Sequence, residues 1–202
     1  MTMRRRQCEI TDPEKVLQIL RRCTVGRLAT KGRDGYPYIT PVNYVYHNNS
    51  VYFHCAHQGE KIDNILADNR VCFEIDIPLA YLDMAFDPTR PPCQVHQFYH
   101  CVIIRGRAEI VEDLGEKLSA LNALMASHER RPDFAAITND TPAVTLCMVV
   151  AVRAETVSCK SDLAQKKTDD ERQCISAYLH SRKLPGDDET SCLLGEKKEM
   201  PS

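Results

Sequence analysis

A chain of 202 residues, 43% of them hydrophobic, is long enough for one domain with its own core and some chain to spare. Lys and Arg total 26 against 28 Asp and Glu, a net charge of -2, so nothing draws the protein to a phosphate backbone and nucleic acid is not an expected partner. No apolar stretch reaches the roughly 20 residues of a bilayer span and no apolar h-region follows the basic N-terminus, so a soluble, cytoplasmic protein with no membrane partner is expected.

The first predicted helix runs from Pro13 to Arg22: Thr11-Asp12-Pro13-Glu14 supplies a capping-box pattern, and Val16, Leu17, Leu20 and Cys23 recur at helical spacing. Before it, Arg4, Arg5 and Arg6 read as a solvated, mobile arm. Val25 to Thr30, the glycine-bearing turn Lys31 to Gly35 and the β-prone Tyr36 to Tyr46 form a hairpin. A polar turn, His47 to Ser50, leads to a third strand, Val51 to Ala56, then a short helix over Gly59 to Leu66 and a strand over Arg70 to Ile77. Asp76 to Cys93 holds Pro78, Pro88, Pro91 and Pro92 and reads as a long loop.

Gln97 to Glu112 reads as a long strand with Gly106 as a bend or close-approach point, Leu114 to Met125 as a helix, and Ala143 to Val157 as the last strand. Beyond this the chain turns charged and polar. The expected organisation is a domain over 1–160 and a polar tail over 161–202, with one helix near Asp170 to Ser181. Short strands joined by turns, with few helices, argue for a mainly β antiparallel barrel with accessory helices and against a doubly wound parallel sheet.

The ten cysteines include no C-x-x-C pair and no tight cluster, which disfavours a zinc ribbon. Cys55, Cys72, Cys101 and Cys147 lie in apolar or β-prone runs, where a reduced thiol serves as a small core hydrophobe. His96 and His100 share one face if their segment is extended, but a metal or haem site needs a fuller ligand set, and no metal is expected.

The stretch from Tyr52 to Ile62 carries the most chemistry. A strand ends in polar groups, Gly59 permits close backbone approach, and Lys61 stands in the first turn of a helix whose free N–H groups favour an anion. Arg27 offers a second cation suited to bidentate phosphate binding. The plainer reading is that Arg27 and Lys61 pair with Asp34, Asp63 or Glu60 on the surface.

Val25-Gly26-Arg27-Leu28-Ala29-Thr30, Gly35 to Tyr44, and Tyr52-Phe53-His54-Cys55-Ala56 followed by Gly59-x-Lys61 resemble the FMN-binding split-barrel superfamily of pyridoxamine 5'-phosphate oxidase. Within it they are most similar to the nitroimidazole-resistance (Nim) branch. Val102 to Ile110 is similar to that family's long late strand, so the likeness spans Met3 to Lys160 and leaves the tail uncovered. It implies a six-stranded antiparallel split β-barrel, a homodimer whose subunits complete each other's sites, and FMN as cofactor, with FAD the alternative because both share the half of the molecule concerned. Arg27, Leu28, Ala29 and Thr30 would line the flavin and its phosphate, Pro41 and Val42 would pass beside the ring, and His54, Cys55 and Ala56 would follow the ribityl chain, with Lys61 on the phosphate.

The implied activity is reduction of a small oxidised organic molecule such as a 5-nitroimidazole, with His54 as the catalytic candidate. His54 also admits a purely structural role, and Cys55 either a redox role or that of a buried spacer. Glu60-Lys61 stands where an Arg-Lys pair is typical of pyridoxamine phosphate oxidases, and Tyr178-Leu179-His180-Ser181-Arg182 is only superficially similar to their C-terminal substrate-recognising residues. A non-enzymatic flavin or haem carrier or sensor, and a pyridoxamine 5'-phosphate oxidase-like enzyme, are the alternatives.

Overall fold

The Asp12 carboxylate accepts the Glu14 N–H at 2.9 Å and starts α1 (Pro13–Arg22), which buries Ile19 and Leu20. The computed structural model describes residues 3–131 and 133–195. Ahead of α1, the arginine arm is tied down and not loose. Arg6–Cys8 forms a 3-10 turn, β1 (Glu9–Ile10) pairs with Lys160 and Cys159, and Arg5 meets Asp162 at 3.1 Å.

The strands that follow are β2 (Val25–Lys31), β3 (Pro37–Asn43), β4 (Val45–His47), β5 (Ser50–Cys55), β6 (Arg70–Leu82), β7 (His96–Ile110) and β8 (Met148–Asp162). They are ordered β3-β2-β6-β7-β8-β5-β4, with β1 on β8, so the described residues form eight strands where six were expected. The pairs β2–β3, β2–β6, β4–β5 and β5–β8 are antiparallel. The helices are α2 (Glu60–Ala67), α3 (Leu114–His128), the single turn α4 (Ala143–Leu146), α5 (Asp169–Arg182) and α6 (Asp187–Gly195). This is the mainly antiparallel, split-barrel class of fold with accessory helices.

The chain forms two compact units, and β6, β7 and β8 each run from one into the other. The unit of Leu17–Ile75 and Ile103–Val157 is built on Leu28, Tyr44, Phe53, Phe73 and Ile104, each almost wholly buried. The expected Tyr36–Tyr46 strand divides at Tyr44 into β3 and β4; the Tyr44 ring packs edge-on against Phe73 at 5.0 Å and its hydroxyl donates to the Leu20 carbonyl at 2.6 Å. Burial pushes that phenol well above its ordinary pKa. Close approach sets two glycines. A Cβ on Gly26 would stand 2.1 Å from the Phe73 ring, and one on Gly106 would stand 1.9 Å from the Arg153 carbonyl oxygen.

The other unit comprises the described parts of Met1–Val16, Asp76–Val102 and Ser158–Ser202. Here the expected loop after Asp76 proves to be strand as far as Leu82; Pro78 is exposed and lies beyond the Cys72–Glu74 register with β2, while Ile77, Leu79 and Leu82 are buried. Irregular chain follows, with 3-10 turns at Met84–Phe86 and Pro92–Gln94. The charged C-terminal segment holds two helices where one was expected; residues 196–202 lie outside the described residues. Thr168 and Glu171 cap α5 reciprocally. Arg182 then joins Asp83 at 2.6 Å and the wholly buried Asp187 at 2.7 Å, and Thr190 Oγ1 accepts the Ala80 N–H at 2.9 Å. The last strand likewise begins later than expected, at Met148, after the α4 turn, and ends later, at Asp162.

Two outcomes follow. Gly106→Ala should lower stability by about 2–3 kcal/mol, because backbone must move to admit the methyl group; a urea midpoint equal to that of the parent would contradict the close approach. The Arg182 hydrogen bond holds the Asp187 carboxyl below its ordinary pKa. Its contribution is therefore complete above about pH 4 and lost as pH falls through the depressed value. Asp187→Asn should flatten that acid limb and cost about 2 kcal/mol at neutral pH, as read by denaturation across pH.

Candidate functional site

The turn between β5 and α2 is shaped by Gly59, whose φ of 128° few side chains tolerate and around which no atom lies within 4 Å of an added Cβ. Ile62 and Asp63 donate their N–H groups to the Gly59 carbonyl at 2.8 and 3.1 Å. Those of Glu60 and Lys61 ahead of them have no hydrogen-bond partner among the described residues. A helix start left open in this way attracts an anion. Ile62 and Ile65 bury the inner face of α2, and Asn64, itself buried, donates from Nδ2 to Thr30 Oγ1 at 3.1 Å, fixing the helix to β2.

Lys61 is half-buried, with Nζ 5.3 Å from the centre of the Phe53 ring and no ion pair among the described residues. Expected surface pairing with Glu60 or Asp63 is not what holds it. Cys55 lies near enough to feel its charge: burial raises the Cys55 thiol pKa first, Lys61 draws it down and Cys147 pushes it up. A thiol so raised stays protonated at neutral pH and is a poor nucleophile. His54 and Ala56 are exposed; His54 stands opposite Val149 of β8, and its ring has no hydrogen bond among the described residues.

On β2 and β3 the pleat divides the expected binding residues. The register sets Arg27 opposite Pro41, Ala29 opposite Ile39 and Val25 opposite Asn43, on a face where Val25 and Ile39 are 51% and 61% exposed. Leu28, Thr30 and Val42 are buried on the opposite face. Arg27 meets Glu74 at 3.0 Å, its cross-strand neighbour on β6, and neither Asp34 nor a free position. The structure therefore gathers Lys61, Thr30 and Cys55 around α2, and sets Arg27, Ala29 and Pro41 on the outer β2–β3 face.

The sequence reading missed the polar cluster behind this site. Arg153 on β8 donates to Ser50 Oγ at 3.1 Å and to the Tyr52 hydroxyl at 2.9 Å and meets Glu116 at 2.5 Å. Tyr52 donates in turn to Glu116 at 2.7 Å, and this bond first, then Arg153, holds the Glu116 carboxyl below its ordinary pKa. Asp113 caps α3, its carboxylate accepting the Glu116 N–H at 2.7 Å. In the other unit, His100 shares a hydrogen bond of 2.8 Å with Ser161. No three His, Cys, Asp or Glu side chains converge as metal ligands among the described residues, and all ten cysteines are free thiols.

The fit to a flavin rests on observation: an unpaired, half-buried cation at an open helix start suits a phosphate, and an exposed apolar strand face suits a flat ring. Among solved structures, the chain is similar to a candidate 5-nitroimidazole antibiotic resistance protein from Bacteroides thetaiotaomicron VPI-5482, with TM-score 0.63 and 23% identity over 76% of this chain and 86% of that one. It is similar to the flavocytochrome Anf3 from Azotobacter vinelandii, with TM-score 0.66 and 17% identity over 80% and 72% of the two chains. A FAD and heme binding protein from Mycobacterium smegmatis gives TM-score 0.65 and 17% identity over 84% and 79%. These likenesses concern the fold. A search of the curated proteins finds no match. The family described as pyridoxamine 5'-phosphate oxidase matches residues 12–161, well over half of the chain, and the protein therefore belongs to that family.

Proposed function

We propose that the protein binds a flavin and works as a redox protein acting on small oxidised organic molecules, 5-nitroimidazoles among them. The observation that carries this reading is Lys61: a half-buried cation, without an ion pair among the described residues, in the first turn of a helix that opens on Gly59. Lys61 Nζ and the N–H groups of Glu60 and Lys61 would hold the flavin phosphate, and Ala29 and Pro41 would lie along the ring. FMN is the cofactor we favour. FAD carries the same phosphate, and three of the similar proteins in solved structures are described as binding FAD.

The bound flavin supplies the electron transfer. His54, exposed at the end of β5, would exchange protons with solvent or substrate, whereas Cys55, its thiol raised by burial, would fill space. The exposed apolar Val25 and Ile39 beside Arg27 and Pro41 support a second copy of the chain covering this face, in a homodimer. Oxidation of pyridoxamine phosphate is disfavoured. Arg182 is already held by Asp83 and Asp187, Tyr178 donates to Asp83 at 2.7 Å, and neither is free to grip a substrate.

Titration with FMN, followed by flavin fluorescence, should show saturable binding, and Lys61→Ala should weaken it about tenfold or more. An unchanged dissociation constant would remove Lys61 from the site. His54→Ala should slow reduction of a bound flavin by NADH or NADPH at least about tenfold while leaving FMN affinity intact. Loss of FMN binding in that variant would make His54 a binding residue instead.

A further inference from the structure

The unit that contains Asp162 encloses a cavity of about 230 Å3 that shares no residue with the flavin site proposed above. Its floor is apolar: Leu82, Phe98 and Ile175 line it and are almost wholly buried. For scale, a dry apolar cavity of roughly 150 Å3 holds one benzene. This space therefore takes a single ring, or a short branched chain, together with one polar group.

The polar side of the cavity carries a surplus of positive charge. Asp162, only 7% exposed, supplies a negative charge, and that charge is already met by Arg5 at 3.1 Å, His96 Nε2 at 3.2 Å and Lys160 at 3.5 Å. The His96 contact first, then Lys160 and Arg5, keeps its carboxyl below the ordinary carboxylate range in spite of burial. Although His96 Nε2 is close to Asp162, it lies off the line of a hydrogen bond, so a buried polar atom is left without a hydrogen-bond partner. The His96 ring packs edge-on to Phe98 at 4.8 Å, which joins this nitrogen to the apolar floor. Arg5 commits one guanidinium nitrogen to Asp162 and has further donors. Lys166 lines the same cavity, is exposed and makes no ion pair among the described residues.

We propose that this cavity binds a small organic monocarboxylate, its apolar body against Phe98 and Ile175 and its carboxylate towards Arg5, Lys166 and His96. A dianion such as phosphate fits less well, because it cannot use the apolar floor and meets Asp162. A neutral molecule of the same shape carries no charge for Arg5 and Lys166 to meet, even where a hydroxyl reaches the His96 nitrogen.

Benzoate is the probe, with benzyl alcohol as its neutral match, each titrated into the full-length protein while the His96 imidazole resonances are followed by NMR. Benzoate should bind saturably with a dissociation constant on the order of 1 mM and shift those resonances, and benzyl alcohol should bind at least about tenfold more weakly. Lys166→Glu, a change at an exposed position, should weaken benzoate about tenfold and leave benzyl alcohol unaffected. The proposal is overturned by the absence of saturable benzoate binding, by equal affinity for the two probes, or by a Lys166→Glu protein that binds benzoate as the parent does. Repeating the titration with FMN present separates this result from the flavin reading, since no residue is shared.

Discussion

Gly106 lies against the backbone carbonyl of Arg153 with no room for a methyl group, and much of the candidate site depends on that contact. A side-chain-free position on β7 lets β8 approach closely. The Arg153 side chain then reaches Ser50 and Tyr52 on β5 and Glu116 on α3. Glu116 also accepts from Tyr52, so one strand register fixes both the strand that ends in His54 and Cys55 and the helix packed beside it. Buried Tyr52, Val149, Ala151, Leu121 and Leu124 fill the space around these polar bonds. An ion pair that is partly exposed contributes little alone; here its value is directional, because three elements must agree for its donors to be satisfied.

From β5 the chain turns through Gly59 into α2, and the buried Asn64–Thr30 hydrogen bond sets that helix on β2. This lock leaves the first turn of α2 open and Lys61 standing over Phe53. The Phe53 ring lies beneath Lys61 Nζ without neutralising its charge, and an acidic partner would have cancelled it. Arg27 shows the contrast, since Glu74 sits directly across the strand pair from it. Of the two cations legible in the sequence, Arg27 is paired with an acidic neighbour and Lys61 makes no ion pair among the described residues.

The sequence made local features legible and missed features that depend on partners far along the chain. Helix α1 falls where the capping pattern puts it, from Pro13 to Arg22, because cap and periodicity are contained in the segment itself. Gly106 was legible as a close-approach point, although not what approaches it. Pro78 misled: proline reads as a strand breaker, but it lies beyond Cys72–Glu74, the stretch of β6 in register with β2, and exposed Pro78 stands between buried Ile77 and Leu79. The C-terminal segment looked like a polar tail because most of its surface is charged. Its fixed points are single residues, Ile175, Leu179 and Leu194, and the Arg182 ion pairs, whose partner Asp83 lies 99 residues away. The division of β2 into Arg27 and Ala29 on one face and Leu28 and Thr30 on the other follows from the period of two, but which face is buried emerges only from the sheet.

Membership of the pyridoxamine 5'-phosphate oxidase family explains the order of strands and helices without fixing the chemistry, which resides in the few side chains placed on that frame. Those around α2 suit a phosphate, and the exposed β2–β3 face suits a flat ring. The most direct measurement is a crystal structure of the protein grown with FMN. The account predicts the flavin phosphate within hydrogen-bond distance of Lys61 Nζ and of the N–H groups opening α2. A phosphate seated elsewhere, with α2 bare, would contradict it.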